Sequence, residues 1–196
     1  MKRILITGAG SYIGSQVKAY LGHFPGAYAV SELNIHGEDW RQADFRGVDA
    51  ILHTAGIVHR EDTKHDPAFR ELYETVNRDL PAAVAEKAKR ESVRQFLFLS
   101  TQSVYGLSAP LGKPVVITEN TPLAPVDLYG SSKAEAEARL LPLSDANFRV
   151  AILRPPIVYG KGCKGNYRAL EKFAAKLPAF PKVENGRSMI YIENLC

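Results

Sequence analysis

With 196 residues, the chain is long enough for one domain with a sizeable core and marginal for two. Hydrophobic residues make up 45% and charged residues 23%, an ordinary globular composition that excludes a disordered, collagen-like or coiled-coil chain. The formal charge is +4 without a block of basic residues, so no nucleic-acid partner is expected, whereas the slight positive excess suits an anionic small molecule.

Neither a membrane partner nor a metal site is predicted. The apolar stretches are far too short to span a bilayer, and the apolar run after Met1 ends at Thr7, so we expect no signal peptide and a cytoplasmic location. The two cysteines, Cys163 and Cys196, are then expected to be free thiols. No cysteine or histidine cluster has the spacing of zinc ligands.

Short apolar runs alternate along the chain with helical patterns. Strands are predicted at residues 3–7, 27–31, Ala50–His53, Gln95–Leu99 and 148–153. Helices are predicted at residues 13–21, 67–76, 77–90, 130–141 and 167–177, with a kink or restart near 77–80 because Pro81 is tolerated only in a first turn. The alternation predicts an α/β fold, a doubly wound parallel sheet of Rossmann type with helices on both faces.

A glycine-rich segment, TGAGSYIG at residues 7–14, lies between the first strand and the first helix. This is the setting in which a dinucleotide pyrophosphate binds, because glycine lets the backbone approach it and the helix N-terminus offers free N–H groups. In the pattern TGxxGxxG, Ser11 stands at the position of the middle glycine. The alternative interpretation is a tight turn without a ligand.

Tyr129 and Lys133 are four residues apart at the start of a predicted helix, so both side chains face the same way. A free phenol has a pKa of about 10, and a nearby ammonium ion, together with a positively charged nicotinamide ring if one is bound, favours the phenolate and lowers that pKa. The pair therefore suits general-base chemistry. In a chain with nine tyrosines the spacing also arises by chance, so this motif is weak evidence alone.

Two further polar segments follow predicted core strands. LSTQSVYG at residues 99–106 places hydroxyl groups at the carboxyl end of a strand, the edge at which open parallel sheets bind ligands. HTAG at residues 53–56 ends another strand and leaves room for a flat ligand. For each segment, a turn that satisfies its own backbone is the alternative interpretation.

Together and in this order, the four segments resemble the extended short-chain dehydrogenase/reductase family, the NAD-dependent sugar-nucleotide epimerases and dehydratases. The similarity is greatest to the members of the UDP-glucose 4-epimerase type. It covers residues 2–195 and includes RPPIVYG at residues 154–160. It implies an NAD cofactor, with NADP left open, and a nucleotide-sugar substrate.

The resemblance also implies roles for individual residues. Tyr129 would be the catalytic base, Lys133 its electrostatic partner and ribose ligand, and Thr101 the residue that binds the sugar hydroxyl. Further substrate contacts are implied for Asn166 and Arg187. The implied cofactor-binding residues are Gly8, Ser11, Tyr12, Ile13 and Gly14 at the pyrophosphate, Asp44 and Phe45 at the adenine, Thr54, Ala55, Gly56 and Ile57 along the channel with Asn77 nearby, and Pro155 and Pro156 at the nicotinamide.

Departures from the family pattern keep alternatives open. Ile157 stands where many epimerases have a substrate-binding asparagine, and no acidic residue clearly closes the second strand, where Glu32 is the candidate for the ribose diol. NAD is favoured over NADP mainly because no arginine stands there. Dehydratases of the family usually have Asp-Glu after the active-site threonine, whereas Gln102 and Ser103 follow Thr101. A dehydratase, a reductase and a non-catalytic NAD(P)-binding module remain alternatives to the epimerase.

The character of the sequence changes after Pro156, where glycine, lysine and proline become frequent. We predict a dinucleotide-binding domain at residues 1–160 and part of a substrate-binding region at 161–196. The chain stops inside an element, so a truncated product with an incomplete sugar site is expected. Apolar surface at Ile190 and Ile192 is expected to be exposed and to promote self-association. By resemblance, a homodimer would use the helices at 72–90 and 130–141.

Overall fold

The computed structural model describes residues 1–58, 67–108, 113–163, 166–176 and 186–196. Five strands form the central sheet, in the spatial order β2-β1-β3-β4-β5, and each neighbouring pair is parallel. The strands are β1 (Lys2–Thr7), β2 (Tyr28–Leu33), β3 (Ala50–His53), β4 (Gln95–Leu99) and β5 (Arg149–Leu153). The predicted α/β fold of Rossmann type is therefore confirmed.

Helices connect the strands. They are α1 (Tyr12–Leu21), α2 (Pro67–Tyr73), α3 (Leu80–Arg90) and α4 (Leu128–Leu140), with short 3-10 segments at Asp39–Gln42, Gln102–Tyr105 and Leu141–Leu143. The predicted restart before Pro81 takes the form of a π-helical turn, Glu74–Asp79, between α2 and α3. Pro81 then lies in the first turn of α3, directly after the π-helical turn.

The two faces of the sheet bury different apolar clusters. Phe96 and Phe98, two residues apart on β4, share the larger cluster with residues of α3 and α4. Ile6 and Leu52 point to the other face, where α1 supplies Val17. Because each strand alternates between the two faces, the sheet is covered on both sides and its carboxyl edge is left for the loops.

Phe96→Ala tests this assignment of the core. The side chain is fully buried, so its loss should lower the free energy of unfolding by about 3–5 kcal/mol, through lost burial and the cavity left behind. Phe24→Ala is the matched control, because the Phe24 side chain is 47% exposed and its removal should cost less than about 1 kcal/mol. Urea unfolding measures both, and equal losses would contradict the assignment.

The last part of the described chain packs against α1. It contains β6 (Ile157–Tyr159), α5 (Asn166–Lys176), β7 (Met189–Tyr191) and α6 (Ile192–Leu195). Strand β6 pairs in parallel with β7, so this two-stranded sheet joins residues on both sides of the boundary predicted at 160. Within the described ranges, no helix combines the length and the apolar character needed to cross a bilayer.

The expectation of an exposed apolar patch at Ile192 is wrong. Ile192 is buried, at 2% exposure, because α6 packs on α1 and the Ile192 side chain lies against Gly160. A Cβ atom on Gly160 would come within 2.5 Å of it. Ile190 is partly buried in β7. The Ile192 side chain thus packs within the chain's own fold, whereas Met189 in β7 is 39% exposed.

Candidate active site

The glycine-rich loop meets the segment that follows β3. Gly8 has a φ of 107° and donates its N–H to the Leu33 carbonyl oxygen at 3.0 Å. A Cβ atom on Gly8 would lie 2.6 Å from the Ala55 nitrogen, so only glycine permits this approach. The loop at residues 7–11 and the HTAG segment therefore form one continuous backbone surface at the carboxyl edge, as a dinucleotide site requires.

The Ser11 hydroxyl group has a structural role at the position of the missing middle glycine. Ser11 caps α1, since its Oγ accepts the Gly14 N–H at 3.2 Å, and it lies 2.7 Å from Thr54 Oγ1. Thr54 in turn donates to the Thr7 carbonyl oxygen at 3.2 Å. Ser11 thus begins the helix and joins the loop to the end of β3, which accounts for this departure from the family pattern.

Ser11→Ala should lower the free energy of unfolding by about 1 kcal/mol through loss of the helix cap, and Ser11→Gly by less, since glycine is itself an acceptable cap. We expect the affinity of Ser11→Gly for NAD to be unchanged or modestly tighter, because glycine allows a closer backbone approach. Thermal unfolding and calorimetric titration with NAD measure the two effects. A large loss of affinity would show instead that the hydroxyl group itself binds the phosphate.

Glu32 lies beside the glycine-rich loop, although the sequence alone made it only a weak candidate for binding the ribose diol. Its Oε1 is 3.5 Å from the Gly10 nitrogen, and its Oε2 accepts from Lys18 Nζ at 2.6 Å. The hydrogen bond from Lys18 lowers the pKa of the Glu32 carboxyl group, so this group is ionised at neutral pH. A carboxylate at the end of the second strand beside the loop is where a dinucleotide places its ribose diol.

The structure does not bring Asp44 and Phe45 to the loop, which corrects their expected contact with the adenine. Phe45 is fully buried in the core, and its N–H is donated to Glu91 Oε2 at 2.6 Å, beside the C-terminal end of α3. Asp44 forms an ion pair with Arg46 at 2.9 Å. The chain then enters β3 beside Arg3, at the amino edge of the sheet. Asp44 and Phe45 thus lie at the amino edge of the sheet, opposite the carboxyl edge that carries the glycine-rich loop.

Helix α4 begins against the 3-10 segment that follows β4. Asp127 caps α4 by accepting the Gly130 N–H at 2.6 Å. A Cβ atom on Gly130 would lie 2.6 Å from the Ser103 carbonyl oxygen, so this glycine allows the close approach. The approach brings Tyr129 to Thr101, whose hydroxyl group hydrogen-bonds the phenol. Two of the three predicted catalytic residues are therefore in direct contact.

The pKa of the Tyr129 phenol is raised, not lowered, in the ligand-free chain. Burial raises this pKa to about 12, and the hydrogen bond with Thr101 opposes the shift only in part. The lowered phenol pKa expected from Lys133 together with a bound nicotinamide ring is therefore not produced by the protein groups around Tyr129. Desolvation is the largest cause of the shift, and the Lys133 ammonium group is directed at a backbone carbonyl group.

Lys133 is 3% exposed and lies below the HTAG segment. Its Nζ donates to the Leu99 carbonyl oxygen at 2.9 Å and lies 4.4 Å from the centre of the Phe98 ring. A Cβ atom on Gly56 would be 3.2 Å from Nζ. Burial lowers the pKa of the Lys133 ammonium to about 7, and the negative charge of Glu137 opposes that shift.

Asn77 joins the HTAG segment to α4. In the π-helical turn its side chain is fully buried, accepts the Ile57 N–H at 2.9 Å and donates to the Ile57 carbonyl oxygen at 3.0 Å. It also approaches the Ser132 hydroxyl group at 3.2 Å. Asn77 therefore holds the Ile57 backbone at the end of the HTAG segment, so its role beside the predicted cofactor channel is a supporting one.

The other predicted residues fall into two groups. Tyr12 and Ile13 begin α1, where Tyr12 Oη donates to the Lys161 carbonyl oxygen at 3.3 Å and Ile13 packs against the smaller core cluster. Pro155 and Pro156 lie between β5 and β6, and the Pro155 carbonyl oxygen accepts the Gln102 N–H at 3.2 Å. The structure thus holds all four next to the loop or the Thr101 segment.

Two residues are expected to bind the substrate, and the structure gives their positions in the chain. Asn166 is the first residue of α5, and Arg187 is exposed two residues before β7. Their contacts with a nucleotide diphosphate stay predictions. Within the described residues, no group of three His, Cys, Asp or Glu side chains could hold a metal ion.

Sequence reasoning missed a buried charge network behind the catalytic residues. Glu137 is 1% exposed, and the Arg154 guanidinium group donates to both of its carboxylate oxygens, with Nη2 to Oε2 at 2.6 Å. The Ser100 hydroxyl group donates to Glu137, and Arg154 Nη1 donates to Tyr105 Oη at 2.8 Å. The spacing of Lys133 and Glu137, four residues apart on α4, was the available signal.

Comparison with known proteins gives the family. The model of the NAD dependent epimerase/dehydratase family matches residues 4–190. This chain belongs to that family. Its NAD-dependent character agrees with the NAD cofactor expected from the sequence, and the loop, Glu32 and the Tyr129 segment all lie within the matched range.

Relatives and solved structures share the fold over nearly the whole chain. The UDP-glucose 4-epimerase of Vibrio cholerae is 30% identical over 215 aligned positions, which cover 99% of this chain and 64% of that protein. The chain thus spans under two thirds of that relative's length. A structure of UDP-glucuronic acid 4-epimerase from Bacillus cereus with UDP-glucuronic acid and NAD has a TM-score of 0.74 at 22% identity, covering 98% of this chain and 70% of that one. A dTDP-glucose 4,6-dehydratase from Bacillus anthracis in complex with NAD also has a TM-score of 0.74, at 21% identity, covering 100% and 69%.

Proposed function

We propose that this chain binds NAD and reversibly oxidises one hydroxyl group of a nucleotide sugar, as a 4-epimerase of the UDP-glucose type. The observation that carries the proposal is the convergence of Thr101, Tyr129 and Lys133 at the carboxyl edge, beside the loop that begins α1. The epimerase of Vibrio cholerae supports this choice of reaction.

The residues present suit NAD. The loop at residues 7–11 and the N-terminus of α1 offer backbone N–H groups to a pyrophosphate, and a Cβ atom on Gly10 would meet no atom within 4 Å, which leaves space there. Glu32 offers a carboxylate to a ribose diol. When bound, NAD supplies a hydride acceptor and a positively charged ring.

In the proposed reaction, Tyr129 Oη removes the proton from the sugar hydroxyl group and returns it to the keto-sugar on the way back. Thr101 hydrogen-bonds Tyr129 and is placed to orient the same hydroxyl group. The pKa of Tyr129, about 12 in the ligand-free chain, has to fall for general-base work at neutral pH. We infer that the phenol acts as a base once a further positive charge, that of the bound nicotinamide ring, lies next to it.

The residues after Thr101 favour epimerisation over dehydration. Dehydration removes a second proton and a hydroxide, so it needs a further acid–base pair at the sugar. Gln102 and Ser103 follow Thr101 and offer no carboxyl group there. Asp127 is engaged in capping α4, and Glu137 is held by Arg154, so neither of these nearby carboxylates is available. One-way reduction needs no such pair and is the competing reaction.

Tyr129→Phe should leave the dissociation constant for NAD unchanged and lower turnover by about 10²–10⁴-fold, because only the ionisable oxygen is removed. Interconversion of UDP-glucose and UDP-galactose is followed by chromatography. Because the chain is shorter than its relatives, reduction of bound NAD in a single turnover is measured as well. Tyr20→Phe, on the exposed side of α1, is the matched control and should behave as the wild type.

Several outcomes separate the candidate functions. Conversion of one UDP-sugar into its epimer supports the proposal, whereas consumption of added NADH without epimer formation would identify a reductase. Full activity in Tyr129→Phe would refute the assignment of the base. Tight NAD binding without any reduction by a panel of nucleotide sugars would favour a non-catalytic module.

Glu32→Gln should weaken NAD binding by about tenfold, through loss of a charged hydrogen-bond acceptor for the ribose. The same change leaves Lys18 Nζ without its carboxylate partner at 2.6 Å, so binding of NADP, with its 2′-phosphate, should improve. Glu38→Gln is the control, since its side chain is 75% exposed and pairs with Arg41. Equal effects of Glu32→Gln on both cofactors, measured by titration, would contradict the ribose role.

A further inference from the structure

One buried charged group takes no part in the proposed chemistry. Helix α4 carries Tyr129, Lys133 and Glu137 at successive four-residue spacings, so the three side chains lie along one face. The first two belong to the catalytic residues. Glu137 lies one turn further from the site, about 6 Å along the helix axis, and is 1% exposed.

A carboxylate at such depth is costly unless it is paired, and Glu137 is held by two partners. Arg154 donates to both carboxylate oxygens, and Ser100 donates to Oε1. Both partners belong to the active-site edge, since Ser100 precedes Thr101 and Arg154 precedes the two prolines between β5 and β6. The carboxylate is therefore fixed with respect to the catalytic residues.

Among the described groups around Lys133, the Glu137 carboxylate supplies the negative charge. The ammonium group contacts the Leu99 carbonyl oxygen and the face of the Phe98 ring, neither of which carries a charge. His53 faces it from β3 and is neutral, because burial and then the charge of Lys133 lower the pKa of this imidazole to about 3. Tyr129 is neutral as well. Glu137 is thus the anion that acts on Lys133 among the described residues.

We propose that Glu137 is a positioning residue that keeps Lys133 protonated in the buried site, and that Arg154 sets how much of the Glu137 charge reaches Lys133. A neutral Lys133 would offer no positive charge to the Tyr129 phenolate or to the cofactor. In its catalytic significance the inference rests on the proposed function. The charge relation itself is a property of the ligand-free chain.

The experiment measures the pKa of Lys133 directly in the NAD-free protein. Lysine labelled with ¹³C at Cε is titrated by NMR, and Lys133→Met identifies the resonance. Glu137→Gln keeps the shape of the side chain and removes its charge, so the Lys133 pKa should fall further, by about one unit or more. Glu135→Gln is the matched control, because Glu135 lies on the same helix, is 53% exposed and pairs with Arg78. It should leave the pKa unchanged.

The direction in which Arg154→Gln shifts the Lys133 pKa decides between the proposal and a merely structural role. This variant leaves the Glu137 charge uncompensated, so the Lys133 pKa should rise, opposite to the effect of Glu137→Gln. Both variants lose the same buried ion pair and should unfold at a lower temperature. If the pair were merely structural, both variants would shift the Lys133 pKa in the same direction or not at all, and either result would overturn the proposal.

The proposal can still be tested if Glu137→Gln does not fold. In that case Glu137→Asp, which keeps the charge, should retain a Lys133 pKa close to the wild-type value, and the rise in Arg154→Gln still has to appear. Because the readout needs neither NAD nor a sugar, a negative epimerase assay and a negative titration result are separate outcomes.

Discussion

A lysine ammonium ion buried to 3% exposure is the constraint on which the rest of the site depends. Water is replaced around it by one carbonyl oxygen, one aromatic face and one distant carboxylate, and its pKa falls accordingly. The Glu137 carboxylate is paired with the Arg154 guanidinium group, which also donates a hydrogen bond to the phenol oxygen of Tyr105. The buried Glu137 carboxylate on α4 therefore joins Ser100, which follows β4, to Arg154, which follows β5.

The framework of this site follows from local sequence patterns. The β-branched run before Gly8 and the apolar residues of Gln95–Leu99 predict buried parallel strands, whose carboxyl ends meet at one edge. The four-residue spacing of Tyr129 and Lys133 predicts a shared helix face, which holds because Asp127 caps the helix. Periodicity and turn chemistry are local, so they could be recognised without a structure.

What could not be predicted depends on contacts between distant segments. Asp44 resembles an adenine-binding acid in sequence, but the chain between β2 and β3 turns Phe45 into the core and leaves Asp44 at the amino edge. The pKa of Tyr129 depends on its burial against several elements, which spacing does not reveal. The pairing of Glu137 with Arg154, 17 residues apart, requires the residue after β5 to lie beside α4 in the fold.

The π-helical turn at Glu74–Asp79 limits how the length of this chain can vary. Such a turn is a single-residue insertion into an α-helix, and loss of one residue would restore regular hydrogen bonding. It would also rotate the flanking helices against each other by about 100° and withdraw Asn77 from Ile57. A deletion that restores the regular helix would thus remove the two hydrogen bonds by which Asn77 holds the Ile57 backbone, next to the HTAG segment. The irregular turn places Asn77 where it bonds both the Ile57 backbone and the Ser132 hydroxyl group. We therefore expect insertions or deletions in this turn to break both contacts.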